Sequence, residues 1–401
     1  MNFDTKKALT RAEAVELIKN NWAFEAKSEL IPLTQSLGRV SAKDIYSVNQ
    51  IPVYRVSAFD GFAVKSSSFE GGTPDVSSWV KGTDYESADT GDDFPDEYDT
   101  VIAVEDLHYG ENGKLEFSDG FEFCKGDGIR EAASNMKIGD LLVKKGTRID
   151  ALNMASMATG GIRMVPVLKK VRVAFIPTGS ELVPAGIEPK RGQNIDCNSI
   201  LIEEMIKKWG AEPVIFPITY DDKEHLENVL DMAMEMADIV IINGGSSKGG
   251  EDYNSRLLEE KGQIFEHTVR AVPGRPVGMA VINNKAVINV PGPVLAAWLA
   301  SDWFIKALVF HYYGIPMVKR PTVKAVLSED IKKPPFAELL GLVKLKKTEN
   351  GYTASQIHKS AGNAVMFREA NGLMICPIGT GMLEKGTEID VELLRGIETI
   401  E

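Results

Sequence analysis

Cysteine is scarce. Three occur in 401 residues, Cys124, Cys197 and Cys376, far apart and odd in number. That excludes a disulfide framework and the paired spacing of a cysteine zinc site. Histidine is nearly as sparse, with five scattered singly, which argues against a histidine-based metal centre. Positive charge is in deficit: 45 Lys and Arg against 57 Asp and Glu leave a formal net charge of -12. A nucleic-acid or anionic-membrane surface needs a basic excess, so no nucleic-acid or membrane partner is expected. A local basic pocket for a phosphorylated small molecule stays open. No apolar run reaches the ~18 residues of a membrane span, and the opening segment has no apolar signal core. A reducing cytoplasm is the expected location.

What remains is ordinary for a globular protein, with 44% hydrophobic and 25% charged residues. At roughly 100–200 residues per domain, two to four domains are expected. Thr10 and Glu13 form a T-x-x-E capping box ahead of Ala14, Leu17 and Ile18, which predicts an opening helix. From about Ile45 to Lys137 short apolar stretches are broken by Gly, Asp, Ser and Pro. Phe62 to Val64, Val101 to Val104 and Leu115 to Phe117 read as strands of a small β-rich module. The acidic stretch Asp84 to Asp99 reads as a solvated loop. Leu141 to Val143 and Ala151 to Thr159 follow as strand and helix, closed by Gly160-Gly161.

From Lys170 the pattern is regular. Val171 to Ile176, Val214 to Ile218, Ile239 to Ile242 and Val287 to Val290 read as buried strands. Helices are predicted over Ile200 to Trp209, with Asn198/Ser199 as cap candidates, from Asp221 to about Met236, and from about Val294 to Tyr312. The stretch between Asn243 and Val287 reads as a long loop. The fold class is therefore α/β plus β, multidomain, with a central open, mostly parallel α/β sheet. Beyond Pro321 the texture returns to β, as a small C-terminal domain.

Ligands of open α/β sheets bind beyond the carboxyl ends of the strands. Three strand ends carry suitable loops: Pro177 to Leu182 (PTGSEL), Asn243 to Tyr253 (NGGSSKGGEDY) and Pro291 to Val294 (PGPV). Glycines such as Gly179, Gly244, Gly245 and Gly292 let backbone amides approach a phosphate. Thr178, Ser180, Ser246 and Ser247 add hydroxyl donors, and Lys248 adds charge. Glu181 and Asp252 are acceptors at the same mouth, and two carboxylates beside phosphates suit Mg²⁺. Each loop could equally be a tight turn with a helix cap; three at one sheet edge favour a site. In Asp221-Asp222, Asp221 is the expected N-cap. Arg270 and Arg275 flank Pro273-Gly274, where guanidinium groups suit a phosphate or oxyanion or lie on the surface. Asp60-Gly61 in SAFDGFAV reads most simply as a turn.

FIPTGSELV, NIDCNS, the Asp-Asp helix start and ADIVIINGGSSKGGEDY together resemble the molybdopterin-binding domain shared by MoeA, gephyrin E and MogA-like proteins. SAFDGFAV resembles the S-x-x-D-G-Y-A motif of MoeA, VPGRP its K-P-G-K-P, PGPV its P-G-N-P, and SAGNAVMFREANG its C-terminal S-x-x-L…A-N-G segment. The order spans nearly the whole chain, which is similar to the MoeA and gephyrin E-domain family. The resemblance implies four parts: 1–45 with 139–169, a β-rich insertion over 46–138, a MogA-like α/β domain over 170–318 and a β-barrel-like domain over 319–401. It implies a homodimer whose cleft joins the α/β domain of one subunit to the Asp60 region of the other. It implies adenylated molybdopterin and molybdate or tungstate as substrates, AMP release with Mg²⁺, and a MogA-like adenylyltransferase as a partner. By matching motif, Asp60, Glu181 and Asp252 would be catalytic. Glu181 and Asp252 would hold the metal, with Asp221 or Asp222 also acidic cleft residues. Arg275 would stand for the second lysine of K-P-G-K-P, and Pro291 and Ser360 for their motif partners.

Four positions depart from the family pattern. Asn135 replaces the aspartate of R-x-x-G-E-D-I, Val272 the first lysine of K-P-G-K-P, and Pro293 the asparagine of P-G-N-P. Lys248 adds a charge inside G-V-S-x-G. Two further readings compete with the transferase: a molybdopterin-binding carrier or scaffold without turnover, and a CinA-like pyrophosphatase sharing only the α/β domain.

Overall fold

The computed structural model describes residues 8–111, 115–220, 222–245, 253–358 and 363–401. The chain forms two compact units, one of Met1–Lys27 with Lys169–Glu401 and one of Ser28–Leu168. Helix α1, Arg11–Asn21, opens the first, and its capping box is formed as the sequence predicts: Thr10 accepts from the Glu13 amide while Glu13 reaches back. Ala14 and Ile18 are fully buried.

The unit Ser28–Leu168 begins and ends in one antiparallel pair, β1 (Ser28–Pro32) against the last strand of the unit, with Ser28 opposite Leu168. Between them, β2 (Gly61–Val64) is the centre of a three-stranded sheet with β3 (Tyr85–Ala88) and β4 (Thr100–Ala103). Aromatic side chains fill the space beside it; Phe69 and Phe123 stack at 3.8 Å between centroids. Helix α2, Ala151–Thr159, and β5, Met164–Leu168, complete a second core around Met157, Val165 and Val167.

The larger unit is built on a six-stranded sheet. Its members are β6 (Arg172–Pro177), β7 (Glu212–Ile215), β8 (Ile239–Asn243), β9 (Ile264–His267), β11 (Gly278–Ile282) and β12 (Lys285–Val290); the short β10 (Ala271–Val272) pairs elsewhere. The order is β7-β6-β8-β12-β11-β9, parallel through the first four strands and antiparallel through the last two. Both faces are covered. Ala174, Ile176, Val240 and Ile242 pack with Leu226, Leu230, Leu257 and Leu258 from α4 (Lys223–Met236) and α5 (Tyr253–Lys261). Alternation by two turns Val173, Phe175, Ile239 and Ile241 to the other face, equally buried. Helix α3 (Asn198–Lys208) and the helix Val294–Tyr313, here α6, pack together and against the sheet.

The predicted elements differ from the observed ones in several places. The acidic stretch Asp84 to Asp99, expected as a solvated loop, contains β3, and its Ala88, Phe94 and Tyr98 are buried because they pack as a core with Ala63 and Val101. The strand expected over Val214 to Ile218 is Glu212–Ile215; Phe216 N still donates to Phe175 O, but Thr219 N rather than Ile218 N donates to Pro177 O, so the register slips after Phe216. The long loop expected after Asn243 instead contains α5, β9 and β11. These are short elements whose burial depends on the sheet edge they join. Helix α6 is 20 residues long and by composition apolar enough to cross a membrane, yet 67% of its most apolar window is buried inside the fold. Asp302 and Lys306 interrupt its apolar run, and Asp302 lies within a π-helical stretch, Ser301–Ile305, that follows its first turns.

The C-terminal part is a closed five-stranded barrel. Its strands are β13 (Thr322–Leu327), β14 (Glu338–Thr348), β15 (Gly351–Gln356), β16 (Gly372–Cys376) and β17 (Glu388–Leu393), with α7 (Asn363–Glu369) entering before β16. The path β14-β15-β13-β17-β16 closes because β16 pairs back on β14. Arg11 of α1 bonds Glu338 at 2.6 Å, and Arg320 bonds Asp302 at 2.6 Å and Glu392 at 3.1 Å. These ion pairs tie the barrel to the helices of the α/β part.

Candidate active site

Strands β6, β8 and β12 are adjacent, parallel and in one register: Pro177 is opposite Asn243, and Asn243 opposite Val290. Their three turns therefore leave the sheet at one level. Thr178-Gly179, Gly244-Gly245 and Gly292-Pro293 line a single cavity of about 980 Å³, with Glu181, residues 193–198, and Asn363 and Phe367 of α7. The sequence expectation that the strand ends converge is met in this geometry.

Amide side chains hold the three turns together. Asn198 Nδ2 donates to Asn243 Oδ1 and to Gly292 O, both at 2.8 Å. Asn243 Nδ2 donates to Pro291 O at 2.8 Å. Asn254 Nδ2 donates to Thr178 Oγ1 at 3.1 Å and to Gly244 O at 2.8 Å. Asn289 orients its amide to donate to Ile242 O and Gly244 O, each at 3.0 Å. All four asparagines are buried, so these bonds serve groups that water cannot reach. Gly244, at φ 118°, has no room for a side chain: a Cβ would stand 2.6 Å from Thr178 O. Backbone thus forms the cavity wall where a phosphate would approach.

The N-terminus of α3 also opens here. Asp196, not the expected Asn198 or Ser199, caps it by accepting from Ser199 N at 3.0 Å and Ser199 Oγ at 2.5 Å. Asn198 is released to bridge the turns. Cys197, exposed overall, lines the cavity beside Asp196, and partial desolvation of its thiol pushes the pKa above the ordinary value. Glu181 lines the cavity with its carboxylate folded beside Gly179, where a Cβ on that glycine would stand 2.7 Å from Oε2, and its carbonyl accepts from Asn194 N at 2.8 Å.

Other predicted residues lie elsewhere. Asp222, rather than Asp221, is the N-cap of α4, accepting from His225 N at 2.8 Å; it does not line the cavity. Ser180 lies in the turn between Gly179 and Glu181 without lining the cavity. The Arg270 and Arg275 segment leaves the sheet at the same edge, since Gly278 pairs with Asn289. Neither arginine lines the cavity. Arg270 Nε donates to Phe336 O at 2.9 Å, and Arg275 stands 5.4 Å over the Phe336 ring. Their guanidinium groups meet the barrel segment. Asp221, Ser246, Ser247, Lys248, Asp252 and Ser360 lie outside the described residues.

Asp60 belongs to the Ser28–Leu168 unit. Its carboxylate accepts from Thr90 N at 2.7 Å and Thr90 Oγ1 at 2.8 Å, the backbone bond first holding its pKa below the ordinary value. Gly61 opens β2 rather than a turn, and its need for glycine is space: a Cβ would stand 2.1 Å from Ile102 O. Asn135 and Arg130 line a separate recess of about 510 Å³ in this unit with Tyr54 and Asp93.

Among the described residues no cluster of three His, Cys, Asp or Glu is placed to hold a metal. A Mg²⁺ carried by substrate phosphates needs only one or two protein carboxylates rather than such a cluster.

Three family models match in succession: the MoeA N-terminal region (domain I and II) over residues 9–161, the probable molybdopterin binding domain over 174–311, and the MoeA C-terminal region (domain IV) over 324–394. A molybdopterin molybdenumtransferase of Staphylococcus aureus (strain COL) is 30% identical over 406 residues, 95% of this chain and 94% of that one. One from Staphylococcus epidermidis is 28% identical over 98% of this chain and 97% of its own. The crystal structure of a molybdopterin biosynthesis MoeA protein from Pyrococcus horikoshii superposes with a TM-score of 0.78 at 27% identity, covering 97% of this chain and 100% of that one.

Proposed function

The chain belongs to the MoeA family, and on that premise we propose that it acts in molybdenum cofactor biosynthesis as a molybdopterin molybdenumtransferase. The observation that carries the reading is the meeting of three glycine turns at a single cavity with two carboxylates, Asp196, which is taken up in capping α3, and Glu181. Turn amides and the α3 N-terminus suit the phosphates of adenylated molybdopterin. Glu181, with Asp252, would hold Mg²⁺, which supplies charge neutralisation on those phosphates. Catalysis then rests on positioning and electrostatics: the chain fixes the phosphoanhydride for attack by water, AMP leaves as that bond breaks, and the two dithiolene thiols bind molybdate or tungstate with loss of one oxide as water. A second subunit would bring Asp60 to the cleft in a homodimer, and an adenylyltransferase of the MogA kind would supply the substrate. Free cysteines and the acidic balance suit a cytoplasmic setting.

One observation favours the carrier reading as second. Among the described residues no lysine or arginine lines the cavity, while Val272 and Pro293 stand where the family motifs have Lys and Asn. AMP release from adenylated molybdopterin by the full chain with Mg²⁺, comparing no oxyanion, molybdate and tungstate, decides between them. Oxyanion-dependent release supports the transferase and names the metal; saturable binding without release supports the carrier.

A further inference from the structure

The turns account for an anionic group, but adenylated molybdopterin also carries two planar ring systems, and the described turn residues that line the cavity include no aromatic side chain. The described lining of the cavity holds one aromatic side chain, Phe367, and it comes from the barrel. Phe367 sits on α7, four residues after Asn363, so the two share a helix face, and both line the cavity.

The helix beneath them is fixed. Met366 is buried in the barrel, and Ala370 N donates to Met366 O at 3.0 Å. The Arg395 guanidinium donates to Phe367 O and, at 2.9 Å, to Arg368 O. Asn371 then spans both backbone groups of Leu345, accepting from its N at 2.7 Å and donating to its O at 3.2 Å. The Phe367 ring itself is 38% exposed. A lone exposed phenylalanine is unremarkable on a surface; a rigidly mounted ring in the wall of a polar cavity, with an amide one turn away, matches what a heteroaromatic base requires. The ring offers a stacking face, and the amide offers a donor and an acceptor to the base edge.

We infer that Phe367 and Asn363 form the ring subsite of this cavity: Phe367 stacks on a planar heteroaromatic ring of the substrate and Asn363 reads its edge, while the glycine turns hold the phosphates. The inference rests on the reading of the cavity as a substrate site and assigns the barrel a direct share in binding. Adenine and pterin present the same chemistry, so the test separates them.

Binding of three probes, AMP, molybdopterin and adenylated molybdopterin, is measured by titration calorimetry on the full chain and on F367A, F367L, F367Y and N363A. The absorption of the bound ring is followed in parallel. Loss of a stacked ring weakens base binding by about tenfold to a hundredfold. F367A and F367L should both show that loss for adenylated molybdopterin and abolish the hypochromism of the stacked ring, and F367Y should restore both. N363A should weaken the same probe by less. The loss should recur with AMP alone if the ring is adenine, or with molybdopterin alone if it is pterin. Wild-type affinity in F367A overturns the inference, as does wild-type affinity in F367L, which would make bulk rather than the π face responsible. Failure of the wild-type chain to bind any probe would overturn the underlying reading of the site, and the inference with it.

Discussion

Asn198 Nδ2 lies 2.8 Å from both Asn243 Oδ1 and Gly292 O, so one buried amide joins the helix α3 start to two of the three turns. Removing it strands two acceptors. Asn198→Ala should cost about 1–3 kcal/mol, the penalty for unsatisfied buried groups, in the unfolding transition of the larger unit. Urea denaturation followed by a probe in that unit checks it. An unchanged midpoint would mean that the turns hold their positions without the amide.

Glu181 is the described carboxylate of the cavity lining that is not taken up in capping α3. Glu181→Gln keeps the shape and removes the charge. Mg²⁺-dependent AMP release should fall by at least about a hundredfold, a loss typical of removing one electrostatic element of a catalytic site. The circular dichroism spectrum and melting temperature should stay at wild-type values. Full activity would remove Glu181 from the mechanism.

Gly244→Ala places a methyl 2.6 Å from Thr178 O, at a φ of 118°. Backbone must move on both sides, so strain of about 1–3 kcal/mol is expected, together with weaker binding of AMP or pyrophosphate. Titration calorimetry on the folded variant reads the second effect. Unaltered affinity would show that the wall between these two turns does not contact phosphate.

The backbone and hydroxyl bonds from Thr90 hold the Asp60 pKa below its ordinary value. A depressed carboxylate pKa contributes stability that is present above the ordinary value and is lost as pH falls through the lowered one. Thr90→Val removes the hydroxyl bond and keeps the larger backbone one. The Asp60 carboxyl should then titrate higher than in wild type, yet still below its ordinary value, as read by carbon-detected NMR. A titration midpoint identical to wild type would mean that the hydroxyl bond contributes nothing.

Strands buried on both faces were legible because nothing but apolar residues serves there: Val173 to Ile176 and Ile239 to Ile242 are all fully buried. The glycine turns were legible because their position follows from the strands. The asparagine frame was not. Asn254 and Asn289 look like any polar residue in a helix or strand until the sheet places them under a turn. Asn198 was visible only as a cap candidate, and Asp196, two residues earlier, took that role. Phe367 lay within the SAGNAVMFREANG segment but carried no binding signal of its own, since its significance comes from a barrel helix reaching a cavity whose other described walls lie between residues 178 and 294.

The pairing of Ser28 with Leu168, with Lys169 N donating to Lys27 O at 2.8 Å, means that the chain departs from the larger unit and returns to it at the same point. The smaller unit is therefore a cassette. Cutting at Lys27 and Lys169 and rejoining the stumps through a turn of a few residues would leave every hydrogen bond of the sheet and barrel intact. Because closure entropy rises only with the logarithm of loop length, lengthening or exchanging the cassette costs the larger unit little.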